Sequence, residues 1–166
     1  LKLLGLIKLK ALMIKINVII NNVSWSRLIK NPSNYIDRKV KKLNLKNKYS
    51  KKNIIFCSLL LSGNKEIKNL NKKFRKKNKS TDVLSFPFYD KKNLKKILKK
   101  EKELYLGDII INFNKVTNKK NLKDFKSQFD KLWVHGLVHL FGYDHKNQKD
   151  FRKMQQVEIN YLKYIK

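Results

Sequence analysis

The chain has 166 residues, the size of one ordinary domain with room for a buried core. Its formal net charge at pH 7 is +29, and this positive excess favours polyanions over neutral molecules as partners. Apolar residues make up 42% of the chain, and together with the regular patterns described below they argue against a disordered protein.

The first 20 residues are apolar, but lysines interrupt them at several positions. No small-residue cleavage site follows, and no uncharged apolar stretch is long enough to cross a membrane. We therefore expect neither an export signal nor a transmembrane segment. We interpret residues 1–12 as an N-terminal extension and expect residues 13–166 to form a single domain.

Four apolar runs predict β-strands. The first run begins at Met13, and the other three cover residues 54–61, 83–88 and 106–113. The consecutive isoleucines of the last run predict burial on both faces of that strand. Pro87 cannot donate a backbone hydrogen bond, so we expect the third strand at a sheet edge, or a strand end at this residue.

Apolar residues at helical spacing predict four helices. The first helix follows the pair Asn31-Pro32, and the second contains residues 67–74. The third and fourth cover residues 121–141 and 148–164. The Lys-rich segment 90–103 is interpreted as either a short solvated helix or a loop. The chain shows no internal repeat or composition break. The prediction is therefore an α+β fold in which a small mixed sheet is packed with helices.

Cysteine and lysine usage bear on the setting and the partners. Cys57 is the single cysteine, which excludes an intramolecular disulfide and fits a buried apolar role in a reducing, intracellular setting. Only four of the 41 basic residues are arginine, and there are 19 Asn and 16 Ile. Lys, Asn and Ile all have A/T-rich codons, so mutational drift explains the charge as well as a nucleic-acid footprint does.

All three histidines lie in one short segment, HGLVHLFGYDH, which begins at His135. On a helix, His135 and His139 are four positions apart, so both imidazoles project from one face and can share a metal ion. Gly142 can adopt the left-handed conformation that ends a helix, which lets His145 supply a third ligand. The sequence therefore predicts a metal site on a core helix and the turn after it.

Three neutral imidazoles with an open coordination position are typical of catalytic zinc, whereas structural zinc usually has four protein ligands and favours cysteine. We therefore expect one Zn²⁺ per chain. Asp144 is interpreted either as an acceptor that orients an imidazole or as a turn cap. The histidine and glycine spacing also matches the metzincin proteases. Gly136 stands where those enzymes have their catalytic Glu, so a metallopeptidase without its general base is one alternative.

Four sequence blocks occur in order between residues 70 and 145: LNKKFR, TDVLSFPF, LGDIIIN and HGLVHLFGYDH. Together they closely resemble the YbeY family of bacterial rRNA maturation factors. The resemblance implies a zinc-dependent, single-strand-specific endoribonuclease that acts in 16S rRNA 3′-end maturation and ribosome quality control. It also implies a cytoplasmic protein whose partners are single-stranded RNA, 16S rRNA and the small ribosomal subunit, with neither DNA nor a membrane among them.

The resemblance further implies that His135, His139 and His145 are the metal ligands and that Arg75 is a catalytic arginine. A guanidinium binds a phosphodiester through two parallel hydrogen bonds and stabilises charge that develops during cleavage, which fits this role. Without the resemblance, Arg75 would be one more basic residue in the run 72–79. The nucleophile is either water or the neighbouring 2′-hydroxyl. A ribosome-assembly binding factor with a structural metal is the second alternative.

The same blocks contain residues with two interpretations each. Asp82 and Asp108 either approach the site or cap turns. Phe86, Phe88 and Tyr89 can stack on unpaired bases, although aromatic residues of strands more often belong to a core.

Overall fold

The structure, a computed structural model, describes residues 12–46, 53–145 and 147–166. Its strands are β1 (Leu12–Ile20), β2 (Asn53–Ser62), β3 (Val83–Pro87) and β4 (Glu103–Asn112). Its α-helices are α1 (Ser24–Leu28), α2 (Pro32–Lys46), α3 (Asn64–Arg75), α4 (Lys91–Lys100), α5 (Leu122–Leu140) and α6 (Gln148–Ile165). The interpretation of residues 1–12 as an extension falls outside the described residues, apart from Leu12, where β1 begins.

The four strands form one mixed sheet in the order β1-β2-β4-β3. β1 and β2 are parallel, as are β2 and β4, whereas β3 runs antiparallel to β4. The strand that ends at Pro87 therefore lies at an edge of the sheet, where the absence of a proline N–H costs no hydrogen bond between strands. The predicted α+β fold with a small mixed sheet is confirmed.

The helices cover the two faces of the sheet unequally. The larger core lies on one face, called the inner face here, and includes buried residues of α2, α5 and α6. Trp25 and Trp133 are both fully buried in this core. On the opposite, outer face, Ile67 of α3 packs with Leu84 and Ile110 in a second, smaller cluster. Burial on both faces of β4 agrees with the run of isoleucines.

β4 contains a β-bulge opposite Cys57 of β2. Phe56 pairs with Tyr105 and Ser58 pairs with Asp108, so one residue of β2 faces two residues of β4. Gly107 in this bulge has a φ of 132°, and a Cβ there would lie 2.1 Å from a carbonyl oxygen of β3. On either side of the bulge, Tyr105 and Asp108 lie on the outer face, where the Tyr105 hydroxyl donates to the Asp108 carboxylate.

Side-chain caps begin several of the helices. The Asn31 side chain accepts a hydrogen bond from the backbone N–H of Asn34 in the first turn of α2. Asp90 accepts from two backbone N–H groups at the start of α4, which establishes the segment 90–103 as largely helical. Asn121 caps α5, the helix that carries two of the histidines, in the same way.

Individual burial predictions are confirmed as well. Cys57 is 1% exposed and lies in the larger core. Helix α1 has no counterpart in the sequence-based prediction, because it has only five residues and no side-chain cap at its start. Among the residues described, none of the helices combines the length and the apolar character needed to cross a membrane.

Candidate metal centre and cleft

The end of α5 and the turn after it bring the three histidines together. The ligand atoms of His135, His139 and His145 all lie within 4.8 Å of one another. Helix α5 ends at Leu140, and Gly142 has a φ of 78°, the left-handed conformation that reverses the chain. The three side chains thus form a group that can hold a metal ion.

Hydrogen bonds orient two of the imidazoles. His135 Nδ1 lies 2.7 Å from Oε1 of Glu158 in α6, and His139 Nδ1 lies 2.9 Å from the carbonyl oxygen of Tyr143. A carboxylate and a carbonyl group only accept, so each Nδ1 donates, and each neutral ring carries its lone pair on Nε2. The two Nε2 atoms lie 3.1 Å apart.

This arrangement fits a zinc ion. Two lone pairs that face each other at 3.1 Å repel unless a cation lies between them. Two nitrogens bound to one tetrahedral Zn²⁺ at ordinary bond lengths lie about 3.3 Å apart, close to the distance observed. Within the described part of the chain, the group has three members, and His145 is exposed to solvent. A donor set of this kind leaves an open position, as catalytic zinc sites do.

The electrostatics of His139 favour the metal-binding form. Burial lowers the pKa of His139, and the neighbouring His135 lowers it further, while the hydrogen bond to the Tyr143 carbonyl opposes both effects. A lowered pKa keeps the imidazole neutral, and only the neutral ring can donate a lone pair to a metal.

A cleft of about 670 Å³ joins the histidines to Arg75. His139 and His145 line this cleft together with Arg75, the last residue of α3. The guanidinium donates a 3.0 Å hydrogen bond to the carbonyl oxygen of Ser85, and its central carbon lies 5.8 Å from the centroid of the Phe86 ring. That bond uses one of five N–H donors, so the fixed guanidinium retains the capacity for a bidentate contact with a phosphate.

Three carboxylates also line the cleft, those of Asp90, Asp144 and Asp150. Hydrogen bonds from backbone N–H groups of α4, chiefly the one from Asn93, lower the pKa of the Asp90 carboxyl. Asp150 accepts a hydrogen bond from the side-chain amide that precedes α6. Asp144 accepts from the backbone N–H of His145 at 2.8 Å and so caps the turn that carries this histidine, one of the two roles the sequence left open.

Gly136 lies where α5 approaches the sheet most closely. A Cβ at this position would lie 2.5 Å from Cγ2 of Ile109 and 3.2 Å from Oγ of Ser85. A Glu at this position would therefore run into the inner face of the sheet instead of reaching the histidines. The close packing disfavours the metallopeptidase alternative, which needs a carboxylate beside the metal.

Two functional groups of the site have no signal in the sequence motifs. Glu158 belongs to another helix, and the Tyr143 carbonyl is a main-chain group that any residue would supply. Conversely, Asp82 accepts from the backbone N–H of Val83 and caps the turn before β3. Asp108 lies on the outer face of the sheet, away from the residues that line the cleft.

The chain is similar to proteins of one family. The sequence model of that family, described as Endoribonuclease YbeY, matches residues 17–166. A protein of Pelagibacter ubique named Endoribonuclease YbeY is 44% identical over 156 residues, which cover 93% of this chain and 97% of the relative. A protein of the same name from Ehrlichia canis is 34% identical over 157 residues, covering 90% of this chain and 91% of the relative.

A solved structure supports the fold. The solution structure of a Thermotoga maritima protein matches with a TM-score of 0.55 and 21% sequence identity, covering 91% of this chain and 89% of that one. The family match and the two relatives extend over nearly the whole chain, including the histidine segment and Arg75. This chain therefore belongs to the Endoribonuclease YbeY family.

Proposed function

We propose that this protein is a zinc-dependent endoribonuclease that cleaves single-stranded RNA. In this proposal His135, His139 and His145 hold one Zn²⁺ per chain, and Arg75 binds the scissile phosphate as a catalytic residue. The observation that carries the proposal is the single cleft that is lined by His139 and His145 of the histidine group and by Arg75 with its hydrogen-bonded guanidinium. The names of the relatives support the reaction class, because both are called endoribonucleases.

The residues of the chain divide the work of binding and orientation. Glu158 and the Tyr143 carbonyl fix the tautomers of His135 and His139, so that the Nε2 lone pairs point to the metal. The Ser85 carbonyl and the Phe86 ring fix the guanidinium of Arg75 before substrate arrives. A guanidinium held in this way binds the phosphodiester without losing further rotamer freedom and stabilises the charge that develops during cleavage.

Bound zinc supplies Lewis acidity beside the scissile phosphate. The attacking group is identified by the ends of the products. Fragments that end in a 2′,3′-cyclic phosphate indicate attack by the neighbouring 2′-hydroxyl, whereas attack by water leaves no cyclic end.

We further propose that the cellular substrate is 16S rRNA on the small ribosomal subunit, cut during 3′-end maturation and ribosome quality control in the cytoplasm. The four sequence blocks that resemble rRNA maturation factors support this assignment. The net charge of +29 supports a polyanionic substrate and makes binding strongly dependent on salt. Neither DNA nor a membrane is a partner in this proposal.

The test combines metal content with RNA cleavage. Zinc is measured by elemental analysis on the wild type, on His139→Ala and on Gln156→Ala, an exposed α6 variant that serves as a control. Each protein is then incubated with a labelled single-stranded fragment of the 16S rRNA 3′ end. We expect the wild type and the control to hold about one zinc per chain and to cut, and His139→Ala to lose both properties.

Two results would overturn the proposal. A wild-type protein that holds zinc but never cuts RNA would make the histidines a structural site, and the binding-factor alternative would replace the nuclease. Cleavage that persists in His139→Ala after the zinc has been lost would separate the activity from the histidine group.

A further inference from the structure

Part of the outer face of the sheet is aromatic and open to solvent. The aromatic face, as we call it, consists of Phe56, Phe88 and Tyr105. Phe88 is 67% exposed and Tyr105 is 38% exposed. Phe56 and Tyr105 are partners in the register of β2 and β4, and the ring centroids of Phe88 and Tyr105 lie 6.3 Å apart. Among the described helices, α3 is the one that packs on the outer face, and its cluster lies on the adjoining part of the sheet.

The aromatic face is continuous with the cleft. Tyr89 lines the cleft, and its ring centroid lies 4.9 Å from that of Phe88. Phe88 in turn contacts Tyr105, so that a row of three rings leads from the cleft onto the outer face. A polymer bound in the cleft that continues past Tyr89 therefore meets this face next.

Charged groups of both signs border this face. Lys15 is exposed, and its Nζ lies 5.4 Å from the centroid of the Phe56 ring. A backbone phosphate can therefore contact a lysine while its base contacts the adjacent ring. Two acidic residues also border the face: exposed Glu103, two positions before Tyr105 on β4, and Asp108, whose carboxylate accepts from the Tyr105 hydroxyl. A carboxylate in this position can also accept from the exocyclic amino group of a base.

We propose that the aromatic face binds the bases of the single-stranded RNA that extends out of the cleft. The inference rests on the proposed function, since it assigns a second contact region to the same substrate. Exposed rings on a sheet bind unpaired bases by stacking, and every base has a face to stack, so this contact tolerates many sequences. Bases within a duplex are already stacked on their neighbours, so the face selects single strands.

The experiment measures RNA affinity in variants of the face. Phe88→Ser and Tyr105→Ser remove exposed rings, so neither leaves a cavity in the core. Tyr164→Ser is the matched control, because Tyr164 is also 38% exposed but lies near the end of α6. Affinity for a fluorescent single-stranded RNA is measured by anisotropy at several salt concentrations, and a gel after each titration verifies that the RNA is intact.

Stacking of one base on one ring corresponds to about 5-fold to 150-fold in affinity. We expect Phe88→Ser and Tyr105→Ser each to raise the Kd about tenfold, and Tyr164→Ser to leave it unchanged. The dependence of the Kd on salt should keep its slope in the serine variants, because no phosphate contact is lost, whereas Lys15→Gln should reduce that slope.

An RNA with abasic positions separates stacking from general disruption. Wild type should bind this RNA more weakly than the intact RNA, and Phe88→Ser should show a smaller difference between the two. Equal affinities of the wild type and the serine variants for intact RNA would overturn the inference. If the wild type still cuts RNA in that case, the proposed function survives, whereas a wild type that neither binds nor cuts RNA refutes both.

Size-exclusion chromatography with light scattering, run on the same proteins, tests another occupant. A change of oligomeric state in Phe88→Ser, together with unchanged RNA affinity, would make the aromatic face an interface between copies of this chain. That outcome also overturns the inference.

Discussion

Glu158 is the residue whose change tests the metal centre most directly. Its carboxylate lies 2.7 Å from Nδ1 of His135, and Glu158→Gln removes the charge but keeps an oxygen that can accept. A hydrogen bond to a charged group contributes about 1.5–3 kcal/mol. Loss of a partner that orients a metal-ligating histidine weakens metal binding about 10-fold to 100-fold, which equals about 1.4–2.7 kcal/mol.

The structure selects the lower end of this range. The side chains of His135 and Glu158 are 33% and 23% exposed, so solvent screens part of their interaction. We therefore expect the Kd for Zn²⁺ to rise about tenfold in Glu158→Gln, measured by competition with a chromophoric chelator at neutral pH. Glu66→Gln is the control, since Glu66 bonds to Asn21 and lies outside the cleft. An unchanged Kd in Glu158→Gln would refute the orienting role of the carboxylate.

Three further predictions concern packing, phosphate binding and the thiol. In Gly136→Ala the new Cβ would lie 2.5 Å from Ile109. We therefore expect the free energy of unfolding, measured by urea titration, to fall by about 2 kcal/mol, although alanine has the better helix propensity. An unchanged urea midpoint would contradict this expectation. Arg75→Lys keeps the positive charge but loses the planar guanidinium that can make two parallel hydrogen bonds to a phosphate. We expect kcat/KM for RNA cleavage to fall about 100-fold while the zinc content stays unchanged. A wild-type kcat/KM in this variant would exclude Arg75 from catalysis. Burial raises the pKa of Cys57 to about 12, so at mildly alkaline pH its thiol should react with Ellman's reagent only after unfolding. The free energy of unfolding should decline as pH rises above the ordinary thiol pKa, because the thiol ionises more readily in the unfolded chain. Rapid reaction of the native protein would show that Cys57 is accessible.

Much of the fold follows from local signals in the sequence. The cap at Asn31 followed by Pro32 marked the start of α2, and Pro87 marked an edge strand, because both residues act through their own backbone or the next turn. The histidine pair was recognisable for the same reason, since helical geometry alone brings positions four apart to one face. Gly142 then completed the group through a conformation that glycine adopts readily.

Features that depend on distant parts of the chain could not be predicted in this way. The partner of His135 is on α6, and only the packing of α6 against α5 shows that Glu158 reaches it. The exposure of Phe88 depends on which part of the outer face α3 leaves uncovered, whereas strand aromatics in general favour a core position. Helix α1 is too short to produce a periodic pattern and is held by the burial of Trp25.

The bulge in β4 makes Gly107 a residue that could be removed without moving the other side chains of the strand to the opposite face. Leu104 and Leu106 before the bulge, and Ile109 and Ile111 after it, all belong to the larger core. Side chains of a regular strand alternate, so without Gly107 the remaining residues would alternate between the two faces with no interruption. Deletion of this one glycine would therefore straighten the strand while every side chain keeps its face. A shortened chain of this kind would separate the effect of backbone curvature on RNA binding from the effect of the side chains themselves.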